Sequence, residues 1–256
     1  SSLGVLTRQA IESMVPVALL QVQPGHAVLD MCASPGSKTT QALEAIWADG
    51  SCGGGGFVVA NDASRTRCQM LLRRCAALGE LCSTLLVTCH MAQKLPRLPL
   101  PQADHGDVDG RYGNGSYDRI ICDVPCSGDG TARKNPSVWH RWSVEFALEM
   151  HPLQLQIAMR GAALLKVGGL LAYSTCSLNP LENEAVVAEL LARCGDALEL
   201  VDASDRLQGL ARTSGLAHWH VMDDELTEFG SYAELAASTL PRVLKRRFRR
   251  SMWPPS

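Results

Sequence analysis

Two cysteines lie in settings that suit covalent chemistry. Cys126 sits in the run Cys122-Asp123-Val124-Pro125-Cys126-Ser127-Gly128-Asp129-Gly130-Thr131, and Cys176 in Tyr173-Ser174-Thr175-Cys176-Ser177. Each follows an apolar run and opens into small, turn-forming residues, so each thiol is delivered to the mouth of a strand. Two thiols at the mouths of neighbouring strands are candidates for nucleophilic catalysis. A second constellation is Asp30-Met31-Cys32-Ala33-Ser34-Pro35-Gly36-Ser37-Lys38-Thr39-Thr40, where a strand passes through small residues into a helix. Small residues let a ligand approach the backbone, and a helix start offers unpaired N–H groups. The run is neither GxGxxG nor GxxxxGK[ST], which disfavours a dinucleotide or a nucleoside triphosphate. Downstream, Asn61-Asp62 ends another apolar run, and an acid there can accept hydrogen bonds from both ribose hydroxyls. Together these favour an adenosine-containing ligand without a pyrophosphate.

Strand-like and helix-like runs alternate around these residues. Strands are expected at 27–32, 57–62, 84–90, 118–124 and 170–176, with a shorter sixth at 197–202. Helices are expected at 8–21, interrupted at Pro16, at 38–48 and 64–78, as one or two over 143–166, and at 181–194 with Ser177 or Asn179 near its cap. The alternation predicts an α/β fold, a mostly parallel sheet with helices on both faces. In such a sheet ligands bind beyond the carboxyl ends of the strands, where all the residues above fall. The Gly run 53–56 and the Pro/Gly/Asp-rich stretch 92–117 read as loops. After residue 203 the pattern dissolves, so 1–202 is the expected catalytic domain and 203–256 a segment with a basic tail.

Composition narrows the class. With 256 residues, 46% hydrophobic and 20% charged, the chain is long enough for a sizeable core and unlike a disordered segment. No apolar run reaches the ~18 residues that span a bilayer, and no secretory signal opens the chain. Ten cysteines without a CxxC pair argue against a zinc ribbon, and the expected setting is nuclear, nucleolar or cytoplasmic, with reduced thiols and no bound metal. Net charge is -2, but Arg242, Lys245, Arg246, Arg247, Arg249 and Arg250 crowd one segment, leaving 18 basic against 26 acidic residues elsewhere. That body does not advertise nucleic-acid binding by net charge, and the basic run reads as a phosphate contact, an import signal or a solvated tail.

The segments DMCASPGSKTTQ, CDVPCSGDGTARKN and YSTCSLNPLENEAVV resemble the RNA cytosine-5 methyltransferases of the Nop/Sun family, in their tRNA-type branch. The resemblance runs from about residue 3 to about residue 220 and implies a Rossmann-like class I fold with S-adenosylmethionine as methyl donor. It implies that residues 32–38 (Cys32, Ala33, Ser34, Pro35, Gly36, Ser37, Lys38) hold the methionine side, that Asp62 holds the ribose, and that Asp123 lies between cofactor and base. Cys176 would be the nucleophile and Cys126 would help release product from RNA, most plausibly tRNA. Lys38 would favour a thiolate or orient Asp123. C5 of cytosine is too weak a nucleophile to attack a sulfonium methyl unless a thiolate has first added at C6, and the base must leave its stack to be reached.

Three features depart from the family. His90-Met91 stands where the tRNA-type branch has His-Asp, the acid expected to meet the adenine amine. An amino-terminal extension and a closing Gly-Gly-Phe-Phe strand are not found, so the sheet is expected to lack its closing strand and residues beyond 203 to be largely irregular. These features motivate an alternative, a degenerate domain that binds RNA or a protein without turnover. A methyltransferase for an exocyclic amine or a protein needs no thiol pair, so Cys126 and Cys176 speak against that class.

Overall fold

The computed structural model describes residues 9–50, 55–98 and 115–255. Cys52, residues 53–54 of the Gly run and residues 99–114 of the expected 92–117 loop lie outside them. Two compact units emerge: Ser1–Val124 with Ile157–Tyr173 and Val201–Gly209, and Pro125–Gln156 with Ser174–Leu200 and Leu210–Ser256.

In chain order the first unit begins with α1 (Ile11–Leu19), β1 (Ala27–Asp30), α2 (Ser37–Ile46), β2 (Phe57–Asn61), α3 (Arg65–Ala76), β3 (Leu85–Thr88) and β4 (Tyr117–Asp123). Helix α1 runs through Pro16 instead of breaking there, giving up one backbone hydrogen bond. The strands form one sheet in the order β3-β2-β1-β4-β5, where β5 is Leu165–Ser174. The register is parallel, with Asp30 opposite Ala60 and Ile121, and Asn61 opposite Thr88. The carboxyl ends of β1, β2 and β4 are therefore neighbours, and they bring Asp30, Asp62 and Asp123 to one edge. Every residue of β1 is buried, because a parallel strand covered on both faces needs an apolar run and not an alternation. Val28, Leu43, Val58, Leu71 and Ile121 belong to one core cluster, each side chain contributing about 1.5–3 kcal/mol by its burial.

The second unit contains α4 (Val138–Arg141), the start of α5 (Val144–Leu164), α6 (Glu184–Cys194), α7 (Tyr232–Ala237) and α8 (Arg242–Lys245). Beyond residue 203 the backbone is mostly irregular, as expected, yet it is closely packed. Trp219, Val221, Phe229, Leu235, Phe248 and Met252 form a core with Leu148, Leu181 and Ala185. The Trp219 indole donates to the Met252 carbonyl at 2.7 Å, and the Trp253 indole to that of Phe229 at 2.7 Å. Buried His151 donates from Nδ1 to the Leu181 carbonyl at 2.6 Å and accepts the Ser251 hydroxyl at Nε2 at 2.8 Å. Burial pushes its pKa down. The basic run is not a loose tail: Arg247 pairs with Glu145 at 2.6 Å, and Lys245 donates to the carbonyls of Ala236 and Ser238.

Three expectations are corrected. The sixth strand expected at 197–202 does not form: Gly195–Ala197 is a short 3-10 turn, Leu200 and Val201 are exposed, and without a ladder partner the segment has nothing to bury. Strand β5 starts at Leu165 and ends at Ser174, so Cys176 follows the strand; it is an edge strand and mostly half-buried, not a buried one. The helix expected over 181–194 begins at Glu184, and its N-cap is Asn183, with no side-chain cap bond. Ser177 and Asn179 instead brace the preceding turn, accepting the N–H groups of Asn179 and Leu181.

Candidate active site

The residues expected to hold a cofactor lie together in the first unit. After β1 the chain passes through Met31–Pro35, with a cis Ser34–Pro35 bond, to Gly36, the N-cap of α2. Gly36 has φ +103°, and a Cβ there would stand 2.6 Å from Leu71 Cδ1, so both backbone angle and space require glycine. The loop is tied to its neighbours by backbone bonds, from Met31 N–H to the Ile121 carbonyl and from Ala33 N–H to that of Asn61. Buried Asn61 uses its whole side-chain amide. It donates to the Met31 and His90 carbonyls and accepts from the Thr88 hydroxyl and the His90 N–H, all at 2.9–3.0 Å.

Asp62 is buried just past β2 and accepts from the N–H groups of Ser34 at 3.3 Å and Ser64 at 3.0 Å. Arg67 reaches it at 3.2 Å and donates to the Ser34 carbonyl at 2.5 Å, bridging the loop to α3. Lys38 Nζ lies 2.7 Å from Asp123 Oδ2 and 3.1 Å from Ser13 Oγ on α1. The lysine side chain is 12% exposed and the aspartate 34%, so the pair is partly withdrawn from water. Of the two actions open to Lys38, the contact made is with the acid. Asp30 accepts the Thr39 hydroxyl at 2.7 Å through Oδ2, while its buried Oδ1 has no hydrogen-bond partner. Burial pushes its pKa up to about 7. Burial likewise pushes up the thiols of Cys32 and Cys122, which makes them inert. Met91, after β3, is 56% exposed.

The two candidate thiols meet in the second unit. Cys126 and Cys176 have their sulfurs 3.1 Å apart, and the Cys176 N–H points at Cys126 Sγ at 3.3 Å. Cys176 is exposed and Cys126 half-buried. The hydrogen bond with Cys176, then burial, hold the Cys126 thiol far above the usual range. Cys126 therefore keeps its proton, and Cys176 is the more exposed of the two.

What fixes this pair is a carboxylate that motif reading passed over. Glu182 is fully buried. It accepts from the Ser127 N–H at 2.8 Å and hydroxyl at 2.5 Å, from the Ser177 hydroxyl at 2.9 Å and from Gln154 Nε2 at 2.9 Å. Ser127 follows Cys126 and Ser177 follows Cys176, so one acid clamps both thiol-bearing turns. Gln154 also donates to the Pro125 carbonyl at 3.0 Å. Asp129 accepts the Leu178 N–H, and Gly130 donates its N–H to the Cys176 carbonyl at 3.0 Å. A Cβ at Gly130 would come 2.8 Å from that oxygen, so the close approach requires glycine. The available signal for Glu182 was an acid beside a leucine in LNPLENEAVV, a pattern equally suited to a helix start.

Of the expected residues, Cys32–Lys38, Asp62 and Asp123 are thus gathered in the first unit, and Cys126 and Cys176 in the second. Among the described residues no three His, Cys, Asp or Glu side chains are placed to hold a metal. Asp62 and Asp123 stand at adjoining strand ends beside the small-residue loop 31–36, and Asp123 is a third exposed, so this edge can take a ligand that carries positive charge. An adenosyl sulfonium with an amino acid tail fits that donor set.

Comparison with known proteins places the chain in a family. Residues 17–218 match the model of the 16S rRNA methyltransferase RsmB/F family. The chain is 49% identical over 228 residues to the multisite-specific tRNA:(cytosine-C(5))-methyltransferase of Saccharomyces cerevisiae, covering 89% of this chain and 32% of that protein. It is 42% identical over 244 residues to the tRNA (cytosine(34)-C(5))-methyltransferase of Drosophila melanogaster, covering 94% of this chain and 32% of that one. The chain thus spans about a third of the length of these two curated relatives. Among solved structures, NSun6 from Pyrococcus horikoshii with SFG aligns with a TM-score of 0.60 at 25% identity, over 74% of this chain and 43% of that one.

Proposed function

The chain belongs to the RsmB/F methyltransferase family, and we propose on that footing that it methylates C5 of cytosine in RNA, with tRNA as substrate. The observation that carries the reading is the 3.1 Å approach of the Cys126 and Cys176 sulfurs, one exposed and one held protonated. The tRNA assignment rests on the names of the relatives in yeast and fly. S-adenosylmethionine, held by residues 32–38 and Asp62, supplies an electrophilic methyl group when bound. Cys176, as thiolate, adds to C6 of the base and makes C5 enamine-like. Asp123, oriented by Lys38, stabilises the adducted ring. Once C5 carries its new substituent, the C5 proton leaves to a base and the C6–sulfur bond breaks, returning the electron pair to Cys176. Cys126 assists that elimination by proton transfer to and from the departing sulfur. An enzyme with this chemistry must both make and break a covalent bond, which accounts for two thiols where one would suffice for attack.

The test is retention of labelled cytosine-containing RNA after boiling in detergent. Cys176→Ala should abolish methylation and leave no adduct. Cys126→Ala should add to RNA and then stall, so that adduct accumulates, and the double variant should trap none. Trapping by Cys176→Ala instead would reverse the roles. Trapping by neither, in protein that methylates RNA, would refute the two-thiol mechanism. RNA binding without methylation by the parent protein would favour a non-catalytic domain.

A further inference from the structure

We infer that the segment from Thr131 to Phe146 is a stacking platform for unpaired nucleotides of the RNA that flank the target cytosine. The inference rests on the RNA substrate proposed above and deepens it. A cavity of about 450 Å³ lies beside Cys126 in the second unit, walled by Thr131, Asn135, Arg141, Trp142 and Phe146 among others. Its size is that of a small-ligand pocket. No carboxylate lines it, so it suits the π-face and phosphate of a nucleotide better than a cationic group.

The charge pattern points the same way. Residues 131–146 carry Arg133, Lys134, His140 and Arg141 against one acid, Glu145, which Arg247 engages at 2.6 Å, in a chain whose net charge is -2. Aromatic rings alternate with these cations: Trp139 is 75% exposed, and Trp142 and Phe146 are each 39% exposed. Exposed indoles cost solvation, and interleaved with cations they match the demands of a single strand, whose bases stack while its backbone is neutralised. A double helix hides its base faces and offers no such contact.

The platform is also held rigid. Val138 is buried and anchors α4. The Ser143 hydroxyl accepts the Phe146 N–H at 3.1 Å, which fixes the backbone at the start of α5. Arg141 donates to the Ser137 hydroxyl at 2.9 Å, and that hydroxyl donates to Asn135 at 2.6 Å, so the guanidinium is oriented from one edge. The backbone that carries the rings and the Arg141 guanidinium are thus positioned before RNA arrives, and binding spends less on ordering them.

The experiment is fluorescence anisotropy of a labelled oligouridine with the parent chain and with Trp139→Ala, Trp142→Ala, Trp142→Phe and Arg141→Ala variants whose thermal unfolding matches the parent. Oligouridine has no target base, so its binding is independent of methylation and of the adduct assay. Each Trp→Ala change should weaken binding about 5- to 100-fold, with Trp142→Phe recovering most of the loss. Arg141→Ala should weaken binding and flatten its salt dependence by about one phosphate contact. Unchanged affinity in both Trp→Ala variants would overturn the inference. So would equal competition by duplex RNA, or failure of the parent to hold oligouridine at low salt, the result expected if a protein segment occupies the cavity. If oligouridine binding responds as expected while no adduct forms in Cys126→Ala, the platform stands and the methylation reading falls.

Discussion

The two reactive regions of this chain are held by opposite means. At the carboxyl edge of the sheet, the backbone sets the shape: strand register, the left-handed Gly36 and four bonds through Asn61 place the loop, and its carboxylates are left in unequal states. Asp62 and Asp123 meet cations, and Asp30 keeps an oxygen without a hydrogen-bond partner. Around the thiols, side chains set the shape: one buried carboxylate gathers two serines and a glutamine from three separate stretches. The first region has polar capacity in reserve for a ligand. The second spends its buried polar capacity on itself, and leaves Cys176 exposed. A cofactor site must accept and release a guest, whereas a pair of thiols must hold one separation.

This contrast predicts where a single change does most harm. Glu182→Ala removes the acceptor of four donor contacts in a dry interior, leaving buried donors unpaired at about 1–3 kcal/mol each if unrelaxed. A stability loss of about 3 kcal/mol or more by urea unfolding is expected, with loss of methylation and of adduct. Glu182→Gln should cost less but not nothing, because its new NH2 faces donors. The affinity for S-adenosylmethionine, measured by calorimetry on the folded fraction, should stay within a few-fold of the parent. A large fall there would show that the two regions are not supported separately.

The converse change is Asp62→Ala. It should weaken S-adenosylmethionine binding by about 1–3 kcal/mol, the range for a lost hydrogen bond to a charged group. It also frees the Ser34 N–H and Arg67, so part of the loss will come from a looser loop. Thermal stability should fall less than in Glu182→Ala, since Arg67 is exposed and can be solvated. Unchanged cofactor affinity would mean that the ribose is held elsewhere.

The same contrast explains what was legible in the sequence. Strands β1 and β2 showed as apolar runs because a strand covered on both faces is buried at nearly every residue, β3 and β4 showed as shorter apolar stretches, and the acids stood out at the ends of β1, β2 and β4. The cysteines were marked by their Pro and Thr neighbours. Glu182 was not, because its partners Ser127 and Gln154 lie 55 and 28 residues away and come to it only on folding. The segment 197–202 misled for a related reason: a short apolar run becomes a strand only when a neighbour supplies the ladder, and here Leu200 and Val201 face solvent. Beyond residue 203, Trp219, Phe229 and Phe248 form a core without regular periodicity, which no helix or strand template detects.

The subtlest consequence concerns Asp30, the acid that the sheet edge leaves least satisfied. Its pKa is raised from the ordinary 3.8 to about 7 by burial and by the Asp123 charge, against the pull of the Thr39 hydroxyl, Lys38 and the Cys32 N–H. In the unfolded chain it ionises near 4, while the folded chain retains the proton until about pH 7. Between those values the folded state binds more protons, so stability falls as pH rises, and above pH 7 the penalty is complete, with an upper bound of ~4 kcal/mol. Asp30→Asn removes that slope and keeps an acceptor for Thr39. Its NH2 group must be buried where Oδ1 lacked a partner, a cost of about 1–3 kcal/mol that offsets most of the gain. The net effect should therefore be small, about 1 kcal/mol of stabilisation at pH 8 and none, or slight destabilisation, at pH 5. Urea unfolding of parent and variant at several pH values gives the difference directly. A difference that does not change between pH 4 and 7 would show that Asp30 is ionised in the folded chain throughout, and that its second oxygen has found a partner after all.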